Sequence, residues 1–211
     1  MRRALVRGLV PVFIVQFFAW TGMFALWIYT TPVVLAWFAP GAASNSSVYL
    51  DGLTWVGVCF ACYALLSAIL NFAQPWLFAQ VGRMPAYAGA LALGAGGIAL
   101  VPHAHAPSVL VFAFALIGVA WSLISTIPYA IGSELAREDE VPRVMNILAF
   151  SVVIPQVIAV LLFGVVTRTL FAGHVATTME LGAASMFVAA VLVVMMRVGR
   201  VQGTSSRHSD S

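Results

Sequence analysis

The sequence predicts an all-α membrane protein with six transmembrane helices, arranged as two inverted three-helix repeats. Three observations carry that expectation. Hydrophobic residues make up 62% of the chain and charged residues only 8%, with a mean hydropathy of +1.02, whereas a soluble domain is roughly a quarter charged. Six apolar stretches approach or exceed the about twenty residues that a spanning helix needs. The charge is also lopsided. All ten basic residues are arginines, and threading the stretches back and forth through a bilayer puts Arg2, Arg3, Arg7, Arg83, Arg137, Arg143, Arg197, Arg200 and Arg207 on one side and Arg168 alone on the other. Cytoplasmic loops hold such an excess, so the chain is expected in the cell inner (plasma) membrane, multi-pass, with both termini cytoplasmic.

The first span is expected near Leu9 to Trp37. Its basic start resembles a secretory signal, but the apolar run continues through Trp27 and Tyr29 without a small-residue cleavage site, so a retained helix is favoured. Gln16, Trp20 and Trp27 stand four and seven residues apart, which puts them on one helical face. An aromatic face beside an amide suits a sugar ring, whose C–H groups stack on indole while its hydroxyls find donors and acceptors. Tyr29 and Trp37 fit the interfacial aromatic belt, whereas Trp20 lies too deep for it.

The second span, Leu53 to Gln74, carries Tyr63, Ser67, Asn71 and Gln74 on one stripe. Interhelical bonding accounts for a serine in such a place. Two amides favour a water-filled cavity, because an unpartnered carboxamide in lipid costs several kcal/mol. Cys59 and Cys62 form a CxxC in apolar surroundings, where small packing residues are expected rather than reactive thiols or a disulfide.

The third span, Pro85 to Val101, is alanine, leucine and glycine, and Ala90 with Gly94 lets a neighbouring backbone approach. His103 and His105, flanked by Pro102 and Pro107, read as a surface turn and supply too few ligands for a metal. The fourth span, Ser108 to Ser133, offers Trp121, Ser122, Ser125 and Tyr129, and Pro128 frees a carbonyl one turn earlier. The fifth, Val144 to Val166, adds Asn146 and a kink at Pro155-Gln156. The sixth, Ala176 to Met196, has only Ser185. The third and sixth spans therefore read as supporting, lipid-facing helices, and residues 201–211 as a disordered cytoplasmic tail.

Ionisable residues sit at the rims: Asp51 and Glu180 outside, Glu134 and Glu138 to Glu140 inside. With no carboxylate, histidine or lysine at mid-depth, a membrane-embedded enzyme has no nucleophile and base to use. The pI of about 9.2 reflects orientation and contact with anionic lipid headgroups; no basic domain exists to hold nucleic acid. No catalytic residue, metal or cofactor is expected.

Gln16-Phe-Phe-Ala-Trp20 with Trp27-Ile-Tyr-Thr-Thr-Pro32, Gly118-Val-Ala-Trp-Ser122 with Ile127-Pro-Tyr-Ala130, and Val153-Ile-Pro-Gln156 resemble the C-terminal half of the sucrose and maltose transporter branch of the major facilitator superfamily, near the glycoside–cation symporters. The resemblance covers essentially the whole chain. At the fifth span the family's Met-Gly-Ile-Phe-Asn stretch reads Val144-Met-Asn-Ile-Leu148 here.

The resemblance implies one half of a major facilitator fold and alternating-access uptake of a glucoside such as maltose or sucrose, commonly coupled to protons. A proton carrier would have to lie outside this chain. The expected substrate-binding residues are Gln16, Trp20 and Trp27 on the first span with Tyr63 and Asn71 on the second. Trp121, Ser125 and Tyr129 on the fourth and Asn146 and Gln156 on the fifth complete the set. The expected partners are a sugar, membrane lipid, and either an N-terminal six-helix half or a second copy of the chain. A homodimeric half-size transporter, and a fragment or split subunit with a purely structural role, remain open beside this reading.

Overall fold

Backbone amides and carbonyls have no water to bond in hydrocarbon, so a chain this apolar satisfies them internally as helices. A computed structural model, which describes residues 3–208 and the side chains of residues 5–196, has that form. Its helices are α1 (Arg3–Phe38), α2 (Ser47–Val81), α3 (Arg83–Leu100), α4 (Pro107–Ile124), α5 (Ile127–Leu135), α6 (Val141–Thr169) and α7 (Val175–His208). Single 3₁₀ turns at Val101–His103 and Glu138–Glu140 follow α3 and precede α6. Six segments are long and apolar enough to cross a membrane, with α4 and α5 together forming one of them. The chain is thus a multi-pass helical membrane protein.

Most boundaries extend beyond the expected spans. Ser46 caps α2 by accepting from the Tyr49 amide, so α2 starts at Ser47 and not at Leu53. Gly82, at φ +83°, stops it and opens directly into α3, a conformation glycine takes without strain. At the other end of the chain, α7 continues past Met196 to His208, so the expected tail falls on the end of this helix and on residues 209–211, outside the described residues.

α1 is the central element and packs on α7, α6 and α2; α3 lies between α7 and α4, and α2 lies against α4. Small residues set these approaches. A Cβ on Gly94 would strike Ala120 of α4 and Met186 of α7, and one on Gly97 would meet the Ala113 carbonyl at 2.6 Å. At Gly182 of α7 it would strike Ala25 of α1. Close helix approach of this kind is what small residues permit in membranes.

This packing reverses one expectation. The third and sixth spans are not the lipid-facing ones: α3 buries 56% and α7 39% of the most apolar stretch, whereas α2 and α6 bury only 22% each. Alanine and glycine in α3 signal contact rather than indifference. The exposed large side chains gather on the other two helices, Phe72 and Trp76 on α2 and Phe150, Val160 and Leu161 on α6.

Both ends of the bundle are tied by polar contacts. The Arg83 guanidinium donates twice to Glu134, at 2.5 and 2.6 Å, joining the start of α3 to the end of α5. At the opposite end His103 Nε2 lies 3.1 Å from Glu180 Oε1. Tyr29 is not a belt residue. It is buried, its hydroxyl 2.9 Å from Thr167 Oγ1 on α6, which in turn lies 2.7 Å from Thr178 Oγ1 on α7. Three helices therefore share one polar chain in the interior.

Candidate functional site: an indole cluster and a helix break

The expected aromatic face on α1 forms, and α2 and α4 complete it. The Trp121 ring of α4 lies edge-on to Trp20 at 5.4 Å and to Trp27 at 5.5 Å, and tilted to Tyr63 of α2 at 6.0 Å. Trp20 and Trp27 are themselves 5.9 Å apart, with Phe24 5.3 Å from Trp27. Edge-to-face geometry at these distances is the preferred aromatic arrangement. Trp20 and Tyr63 are buried while Trp27 and Trp121 are half-buried, so one side of the cluster stays open. Gly118 makes it possible: a Cβ there would meet the Tyr63 carbonyl oxygen at 2.7 Å, and only glycine lets α2 and α4 cross this closely.

Gln16 closes the cluster from one turn back. It is fully buried, its Oε1 accepts from Trp20 Nε1 at 2.8 Å, and its Nε2 has no hydrogen-bond partner. A buried donor left without an acceptor costs about 1–3 kcal/mol. The amide is oriented by the indole and keeps one unused donor in an apolar interior.

A second polar group lies nearby on the same two helices. Pro128 has no amide hydrogen, and the fourth span breaks into α4 and α5 with Ser125 and Thr126 in the turn between them. Gln74 of α2 reaches into the break. Its Nε2 lies 2.8 Å from Asn71 Oδ1, 3.0 Å from both the Ser122 carbonyl and Ser122 Oγ, and 3.1 Å from Thr126 Oγ1. Ser125 Oγ donates to the Trp121 and Ser122 carbonyls at 2.8 and 3.2 Å. Gln74 and Ser122 are buried; Asn71 is exposed at the edge.

The stripe on α2 is thus the packing face of that helix. Its buried residues Gly52, Val56, Cys59, Tyr63, Ser67 and Gln74 recur at helical spacing. Polar character there marks the α2–α4 contact, with Asn71 at its exposed edge, where its Oδ1 accepts from Ser122 Oγ of α4 at 3.0 Å. Cys59 is buried and Cys62 half-buried, and both are free thiols.

On the fifth span the structure brings less together. α6 runs unbroken through Pro155, so the kink does not interrupt it. Neighbouring side chains let membrane helices tolerate such a proline. Asn146 and Gln156 are exposed on α6, which packs on α1 and α5. Asn146 borders a shallow recess of about 390 Å³ with Ala149, Phe150 and Val153. Tyr129 is half-buried against the core.

Seven of the ten expected residues therefore fall into the two groups on α1, α2 and α4: Gln16, Trp20, Trp27, Tyr63 and Trp121 in the first and Asn71 and Ser125 in the second. Ser125 joins the second through its backbone bonds. Asn146 and Gln156 stand on a separate helix face. Thr126 was not among the expected residues, nor was Gln74 beyond its place on the stripe; the signal for both was Pro128, which breaks the helix one turn after Ser122. No protein-family model matches the chain, and no curated protein matches it.

Proposed function

We propose that the chain forms one wall of a membrane sugar transporter, the C-terminal six-helix half of a twelve-helix carrier that takes up a glucoside such as maltose or sucrose by alternating access. The observation that carries this reading is the meeting of Trp20, Trp27, Trp121 and Tyr63 from three helices around Gln16, whose Nε2 is an unused buried donor. Indole faces beside an amide donor match a ring that is apolar on its C–H face and hydroxylated at its rim. A solely structural bundle gains nothing from an orphaned amide in its interior.

Two further features support the reading. The fourth span is a discontinuous helix, a common device where a transport path meets backbone. α2 and α6 leave long apolar faces open, and a second six-helix unit laid against them would enclose the half-open indole cluster. The arginine bias favours both termini on the cytoplasmic side. Among the described residues the acidic side chains lie at the ends of the helices, so coupling to protons would use a group on the partner half.

The test is uptake of labelled maltose and sucrose into proteoliposomes holding the chain together with an N-terminal six-helix half, then with Trp121→Ala in its place. Uptake lost in the variant with insertion intact supports the sugar role, and unchanged kinetics refutes it. The exposed faces of α2 and α6 also favour a second reading, a homodimeric carrier; saturable uptake by the lone chain would select it.

A further inference from the structure

The face that α6 turns away from the bundle is not uniformly apolar. Asn146, Ala149, Val153, Gln156 and Val160 are all exposed, and they follow one another at steps of three and four residues, the spacing of a coiled-coil seam. Lipid can cover Ala149, Val153 and Val160. Gln156 differs, because it stands at the middle of the 29-residue α6, where a carboxamide facing acyl chains without a partner costs several kcal/mol. Among the described residues neither Gln156 nor Asn146 has a hydrogen-bond partner. The shape of the face agrees with the spacing. The shallow recess of about 390 Å³ is bordered by Asn146, Ala149, Phe150 and Val153, residues i, i+3, i+4 and i+7, the four corners of a hole into which a facing helix inserts a side chain.

We infer that this seam is a homodimer interface, in which α6 of one copy packs against α6 of a second copy around a two-fold axis along the bilayer normal. The arginine bias gives every copy the same orientation, so the two helices run parallel and each seam residue meets its own counterpart. A carboxamide both donates and accepts. Gln156 therefore pairs with the second copy's Gln156 and Asn146 with its Asn146, the self-complementary match that a two-fold interface requires. Polar residues at such positions fix register and helix number. Ala149, at the centre of the hole, lets the two backbones approach closely. Charge is complementary at the cytoplasmic end of the same helix. Glu138, Asp139 and Arg143 are exposed there and form no ion pair among the described residues, and the two-fold sets the carboxylates of one copy beside the arginine of the other.

The inference rests on the two-copy reading and names its interface; it needs no particular solute. It is tested on the purified full chain in liposomes at low protein density, by oxidative crosslinking of single added cysteines, with the unaltered chain and its native Cys59 and Cys62 as the blank. Ala149→Cys and Val153→Cys should each give a covalent dimer. Ile154→Cys, next to the seam on α6, and Leu65→Cys, on the exposed face of α2, should give no more than the blank. Energy transfer between labelled copies then measures the dimer as protein is diluted into lipid. Asn146→Leu with Gln156→Leu should raise the protein-to-lipid ratio needed for half-dimerisation about tenfold. The same double variant should unfold at an unchanged temperature in nanodiscs that hold one copy, because neither amide has a partner within the chain. Equal crosslinking at all four positions, or dimerisation indifferent to the two leucines, overturns the interface. Crosslinking through Leu65→Cys alone overturns it while leaving the two-copy reading standing, and a chain that stays monomeric at every density removes both.

Discussion

Trp20 and Gln16, one turn apart on α1, share a 2.8 Å hydrogen bond that satisfies the indole and leaves the amide half satisfied. Replacing Gln16 with Met removes the orphaned donor but strips Trp20 Nε1 of its acceptor. The two effects oppose one another, so stability should change by less than about 1 kcal/mol. If Nε2 meets a sugar hydroxyl, uptake should fall while the unfolding temperature barely moves. Normal affinity together with a large loss of stability would assign Gln16 to packing instead.

Trp121 touches Trp20, Trp27 and Tyr63, so its loss unmakes the cluster from one side. Trp121→Ala should weaken sugar uptake about tenfold, near 1.4 kcal/mol, with membrane insertion retained. Trp121→Phe keeps an aromatic edge against the two indoles, each such pair being worth about 0.5–1.5 kcal/mol, and should recover part of the uptake. Identical behaviour of the two variants would show that ring stacking has no part in binding.

Asn71→Leu separates binding from folding on α2. Asn71 accepts from Gln74 and Ser122 at the exposed edge of the polar group. An interhelical bond in a membrane is worth well under about 2 kcal/mol, so a structural role predicts a modest fall in unfolding temperature with unchanged affinity for sugar. A ligand role predicts the converse, and paired unfolding and binding curves on one preparation decide between them.

What sequence could and could not reveal follows from the range of each signal. The membrane class and the six segments are legible because hydropathy is a local sum and lipid permits little besides helix. The Gln16, Trp20, Trp27 face is legible because helical spacing alone fixes it. The approach of Tyr63 to Trp121 from α2 rests on Gly118, whose importance depends on which helix lies opposite. The α2 stripe was legible as a face, but a buried contact and a wet cavity write the same residues; only the Gln74 bonds to Ser122 and Thr126 tell them apart. Glycine and alanine in α3 conceal their packing role for a related reason. Small side chains look featureless in sequence, yet Gly94 and Gly97 are where α3 is most tightly held. The position of Tyr29 along the chain suggests the aromatic belt, and its bond to Thr167, 138 residues away, has no local signature.

Gly118 yields a sharper stability prediction. An added Cβ would press on the Tyr63 carbonyl oxygen, which is backbone and cannot swing aside, so Gly118→Ala should part α2 from α4 and cost about 1–3 kcal/mol. Gly57, also on α2, has nothing within 4 Å of its would-be Cβ, so Gly57→Ala should be neutral or add up to about 1 kcal/mol through helix propensity. Thermal unfolding of both variants in the same detergent checks the contrast. A stable Gly118→Ala protein would mean that the two helices are not in close contact.

The Arg83–Glu134 pair gives a prediction about how the ends of the helices are fastened. Its two parallel hydrogen bonds have the bidentate geometry that makes arginine–carboxylate pairs specific, but the side chains are 30% and 57% exposed, so water and salt screen them. A double-mutant cycle with Arg83→Ala and Glu134→Ala should give a coupling of no more than about 1 kcal/mol. That coupling should shrink as salt rises, because the screening length falls to about 3 Å at 1 M. The exchanged pair, Arg83→Glu with Glu134→Arg, should recover most of the stability lost in either reversal alone. A coupling several times larger that is indifferent to salt would require the pair to be shielded from water, and would place the junction of α3 and α5 under a covering segment of a partner.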